Sequence, residues 1–180
     1  LNNYKYGGTI KMTSINWAKI KHFSPSEFPE DPDKYAEPEL IYTLDKIRRA
    51  QGKPIYPSPV KGALARFDGS ERSQHYAVGR KSTGVDIFPE CVPIQFMLLL
   101  MKFENIKGIG IYRDTTGING KPWVMFHIDI RERGFNDLEP LIWIAIKDMD
   151  YKTNYIYPQS NNYYWNLLSN KIFTEYYDKN

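Results

Sequence analysis

The stretch WVMFHIDIR, residues 123–131, alternates two kinds of side chain with a period of two, the repeat of a β-strand. Val124, Phe126, Ile128 and Ile130 fall on one face, and Trp123, Met125, His127, Asp129 and Arg131 on the other. The first face is built for a core. The second brings an imidazole, a carboxylate and a guanidinium together on the same strand. Such a strand needs neighbours in a sheet and an apolar layer over its core face. EPELIYTLDKIRRAQGK supplies a layer: Leu40, Ile41, Leu44 and Ile47 recur at helical spacing, Pro38 stands near the start and Gly52 follows the end.

The remaining segments fit the same plan. GVDIF, GIGIY and PLIWIAIKD read as strands, PIQFMLLLMKFEN as a mostly buried helix, and PIYPSPVKGALARF as short strands and turns set by Pro and Gly. Four prolines between 25 and 38 break the preceding segment into an extended arm, which places Phe23 and Phe28 on the domain and gives His22 a structural place. At 180 residues the chain is long enough for one domain with a sizeable core. The expected fold is α+β, with a small, mainly antiparallel sheet flanked by helices. The expected divisions are an arm over 1–35, a core domain over 36–150, and a Tyr/Asn-rich extension over 151–180 that packs on the same domain and ends in an amphipathic helix around YYWNLLSNKIF.

Composition narrows the chemistry. Cys91 is the only cysteine, which excludes an internal disulfide and a thiolate metal cage and reads as a small buried residue. No apolar run reaches the roughly 18 residues of a membrane span, and the opening residues lack the charged-then-apolar pattern of a secretory signal. A net charge of +3 is too small to argue for a nucleic-acid partner, and the basic residues are scattered. Only three histidines are present, and two of them, His75 in SERSQHYAVGRKSTGVDIFPE and His127, flank Asp86 in sequence. Two imidazoles and one carboxylate make the three-ligand set of a hydrolytic zinc site, which keeps a fourth position for water. The spacing alone is a weak signal. His-Ile-Asp at 127–129 also matches half of a ferrous facial triad, but no histidine follows His127 to complete it.

HFSPSEF, SQHYAVGRKSTGVDIFPE, GIGIY and WVMFHIDIR occur in that order, and together they resemble the zinc metallopeptidases of the D-alanyl-D-alanine carboxypeptidase family. That family includes bacterial D,D-carboxypeptidases and D,D-dipeptidases, phage endolysins and peptidases encoded among phage structural genes, and it shares its metal core with the hedgehog signalling domain. The pattern matches at Ser73, His75, Gly84, Asp86 and His127. The resemblance implies a hedgehog-like peptidase fold and Zn2+ held by His75, Asp86 and His127. It also implies cleavage of a peptidoglycan stem-peptide bond by a phage or prophage protein, acting from the virion or in the host periplasm or cell wall, with other phage structural proteins as partners. Ten residues separate His75 from Asp86, where the compact family form has six; the longer spacing resembles the phage-associated branch. Several relatives carry an acidic base three residues before the last His, where this chain has Val124. Asp129, on the same strand face as His127, is then the candidate proton carrier, with orientation of His127 or pairing with Arg131 as its rival role. Asp114 is a weaker candidate base. The family's oxyanion-stabilising arginine corresponds best to Arg66, with Arg72 as the alternative, and Ser73 is expected to hydrogen-bond near the site. The competing reading is a structural or wall-binding phage component in which zinc serves only stability.

Overall fold

Six strands form one mixed sheet: β1 (Ile55–Pro57), β2 (Gly84–Pro89), β3 (Gly108–Tyr112), β4 (Met125–Asp129), β5 (Leu141–Lys147) and β6 (Thr153–Ile156), in the order β1-β2-β4-β3-β5-β6. Every joint is antiparallel except the one between β3 and β5. The computed structural model describes residues 14–132, 140–150 and 152–157. The helix expected around YYWNLLSNKIF lies outside the described residues. β6 carries the sheet past residue 150, into the segment set apart in sequence as an extension.

The period-two pattern sorts the two faces of the sheet as expected. Val85 and Ile87, Ile109 and Ile111, Phe126 and Ile128, and Ile142 and Ile144 all join one core cluster. That cluster also holds Leu40, Ile41, Leu44 and Ile47 of helix α2 (Pro38–Gln51) and Phe96, Met97 and Leu100 of helix α3 (Pro93–Leu100). Removing each of these side chains from water contributes roughly 1.5–3 kcal/mol. Pro38 occupies the first turn of α2, where its missing N–H costs no helical bond, and Gly52 ends the helix in the left-handed region at φ 69°. Helix α3 is shorter than the sequence expects. Past Leu100 the N–H groups of Lys102 and Phe103 bond three residues back, to Leu99 and Leu100, which tightens the chain and ends the helix.

The arm wraps around α2. Ile15, Ile20, Phe23 and Phe28 enter the core cluster, and the rings of Phe23 and Phe28 lie 5.8 Å apart. Asp45 accepts the backbone N–H groups of Lys21 and His22, while Arg48 donates to the His22 carbonyl and to Glu27. The arm also contains the short helix α1 (Pro32–Tyr35), capped by Asp31. Among the described residues, no helix is long and apolar enough to cross a membrane.

Candidate metal centre

Strands β2 and β4 lie side by side in the middle of the sheet with Asp86 directly opposite His127, so both side chains leave the face opposite the core. His75 reaches them from the loop before β2, and that loop is tied down at several points. The His75 carbonyl accepts the Arg66 N–H at 2.7 Å, and the Gln74 carbonyl accepts the N–H groups of Thr83 and Gly84. The Arg80 guanidinium bonds the carbonyls of Glu71, Ser73 and Tyr76, and the Ser73 hydroxyl accepts the His75 N–H at 3.3 Å. Gly84 lies in β2, and a Cβ there would fall 2.8 Å from the His127 ring.

Three atoms converge. His75 Nε2 lies 2.8 Å from His127 Nδ1, His127 Nδ1 3.0 Å from Asp86 Oδ1, and His75 Nε2 3.2 Å from Asp86 Oδ1. All three residues are buried. Tetrahedral zinc with bonds of about 2.1 Å has ligand–ligand edges of about 3.4 Å, so a small outward relaxation of this triangle accommodates the ion. The chemistry of the set fits too, since two neutral imidazoles and a carboxylate are borderline-soft donors suited to zinc. His127 Nε2 donates to Asp129 Oδ2 at 3.1 Å, which leaves the lone pair on Nδ1, the nitrogen that faces the cluster. His75 Nδ1 is buried with no hydrogen-bond partner among the described residues.

Electrostatics point the same way. Burial works against the charge of Asp86, but the facing His75, together with the contact with His127, outweighs it and holds the carboxyl well below the usual carboxylate range. Burial also opposes the charge of His127, yet its contacts with Asp129 and Asp86 outweigh this and raise its pKa. Both shifts favour positive charge among these donors.

Asp129 is fully buried and lies against the far nitrogen of His127, not within the cluster. Its Oδ1 accepts the Arg131 backbone N–H and Nε (2.7 Å), and its Oδ2 also accepts Arg131 Nη2. Burial pushes its pKa up, but Arg131 and His127 bring it down to about 2. Space for this clamp comes from β3: a Cβ on Gly108 would lie 2.1 Å from Asp129 Oδ2, and one on Gly110 would lie 2.5 Å from the Trp143 ring.

A cleft of about 190 Å³ opens over the cluster. Arg66, Arg72 and Arg131 line it, with Tyr112, Trp143 and Tyr155 as its aromatic walls. Arg66 Nη2 lies 3.7 Å from Asp86 Oδ2, while Arg66 Nε donates to the Gly62 carbonyl. Trp143 sits 5.2 Å from the His127 ring, and Arg131 stacks over it. Burial pushes the Tyr112 hydroxyl pKa up.

Asp114 is not among the cleft residues; it accepts the Lys147 N–H and pairs with Arg113. His22 is exposed on the arm, and Val124 is buried in the core cluster, so its side chain points away from the site. Tyr112 and Trp143 were not singled out in the sequence, although the alternation in GIGIY and LIWIAIK places them on the face of Asp86 and His127. Comparisons of the chain with known protein families, with curated proteins and with solved structures each returned no match.

Proposed function

We propose that this chain is a zinc-dependent peptidase of the hedgehog-like, D-alanyl-D-alanine carboxypeptidase type, encoded by a phage or prophage and acting on a stem-peptide bond of peptidoglycan from the virion or in the cell wall. The observation that carries the reading is the buried triangle of His75, Asp86 and His127 opening into an arginine-lined cleft. His75 Nε2, Asp86 Oδ1 and His127 Nδ1 would hold the ion. Zinc bound there supplies an acidified water, with a pKa of about 7, and polarises the scissile carbonyl.

The chain's own groups do the rest. Asp129 fixes the tautomer of His127 and is itself held by Arg131, so of its two candidate roles the orienting one fits the geometry. Arg66, beside Asp86, would steady negative charge on the substrate carbonyl oxygen, with Arg72 of the same cleft as the alternative. The three guanidiniums suit a peptide that carries carboxylates, as stem peptides do. Tyr112 faces the cleft, where its hydroxyl can hydrogen-bond a bound peptide.

One observation favours a second reading. Among the described residues no carboxylate lines the cleft, and Val124 stands where relatives carry the base. A zinc-stabilised structural or wall-binding component of a phage particle would have that site. The two readings separate when zinc stoichiometry of wild type and His127→Ala is measured beside mass spectrometry of purified peptidoglycan treated with each. One zinc per wild-type chain, little in the variant, and new stem-peptide fragments with wild type alone support the peptidase. Zinc without fragments across several wall types supports the structural role, and a wild type without zinc overturns both.

A further inference from the structure

We propose that Glu30, in the N-terminal arm, is a positioning residue of the metal centre, and the proposal rests on the zinc reading above. Its carboxylate takes the place of a missing neighbouring strand along residues 62–65. Gly62, Leu64 and Ala65 are buried, and their N–H groups have no ladder to join. Such groups require acceptors. Glu30 Oε1 accepts from Gly62 at 2.5 Å, and Oε2 accepts from Leu64 at 3.0 Å and Ala65 at 3.2 Å.

The same short strap grips both metal-binding segments. The Ala63 carbonyl accepts the Asp86 N–H at 2.9 Å, and the Asp86 carbonyl accepts the Ser58 N–H at 2.8 Å. Arg66 N–H bonds the His75 carbonyl at 2.7 Å, and the Arg66 carbonyl accepts from Ala77 at 2.8 Å. One carboxylate in the arm therefore fixes the strap, and the strap fixes the backbones of His75 and Asp86 and the origin of the Arg66 side chain. Three donors divided over two oxygens need an acid. Glutamine keeps one acceptor oxygen and turns an NH2 toward at least one of the N–H groups.

The test uses the full chain and compares Glu30→Gln with Glu27→Gln, which cuts the arm's tie to Arg48 without touching the strap. Zinc affinity is measured by competition with a chromophoric chelator, and melting temperature with EDTA and with saturating zinc. Glu30→Gln is expected to weaken zinc binding at least about tenfold, the scale seen for groups that orient metal ligands, and to shrink the rise in melting temperature on adding zinc. Glu27→Gln is expected to lower both melting temperatures alike and leave zinc affinity within about twofold, because its contacts are remote from the ligands. If Glu30→Gln proves too unstable to purify, Glu30→Asp, with both oxygens one methylene short, is expected to bind zinc more weakly than wild type. Wild-type zinc affinity in a folded Glu30 variant overturns the proposal alone. Absence of zinc from wild type overturns the metal reading and the proposal with it.

Discussion

Asp129 has no idle oxygen: His127 and three Arg131 donors share its two atoms, and a carboxylate so engaged has little freedom to carry a proton. On the zinc reading its removal therefore acts through the orientation of His127. Asp129→Asn is expected to weaken zinc binding by about 10- to 100-fold, measured by chelator competition. The same residue gives the metal-free protein an acid signature. Its folded pKa lies below the ordinary 3.8, at about 2, so its contribution of roughly 2 kcal/mol is present above pH 3.8 and is lost as pH falls through about 2. Urea melts of metal-free wild type and Asp129→Asn are expected to differ near neutrality and to converge over that acid window; a constant difference would show that Asp129 is not charged in the fold. The cluster of His75, Asp86 and His127 was legible because His is scarce and the three positions resembled a known pattern. Glu30 was not, because a side chain that caps backbone N–H groups of a distant segment leaves no periodic trace in sequence.

Strand β3 works by what it omits. Its residues on the site face begin with two glycines, and Asp129 from β4 and Trp143 from β5 lie across the space. Gly108→Ala is expected to destabilise the protein by about 3 kcal/mol, the upper end for an overpacked core, because the obstructing atom belongs to a buried, doubly held carboxylate. It is also expected to weaken zinc binding, read by chelator competition; a variant with wild-type stability would contradict the close contact. Strand β4 and helix α2 were legible from periodicity, since each has one apolar face, and β2, β3 and β5 as short runs between turn residues. The length of α3 was not, because MLLLMKF stays apolar past the point where the backbone tightens.

At the scale of the whole molecule, the α+β class and the mainly antiparallel sheet follow from local patterns. The strand order and the parallel joint of β3 with β5 do not, because pairing partners far apart in sequence are chosen by the closed core and not by either strand's composition. The candidate metal ligands draw on two adjacent central strands and one loop, so a bound ion would join parts that are distant along the chain. Free zinc at about 100 times its dissociation constant is expected to stabilise the fold by about 2.7 kcal/mol. For a chain of this size that corresponds to about 5–10 °C in melting temperature, reversed by EDTA. An unchanged melting temperature would show that the three ligands hold no ion.

Trp143 gives this assembly a voice of its own. Its indole rests against His127 and under Arg131, on the strand that enters the sheet through the parallel joint. An ion held by His127 would change the charge beside the indole. Zinc titration of the untouched chain is therefore expected to change its fluorescence, and Trp143→Phe to abolish the change. The fold carries a native fluorophore that reports, without any attached dye, whether its central histidine holds an ion.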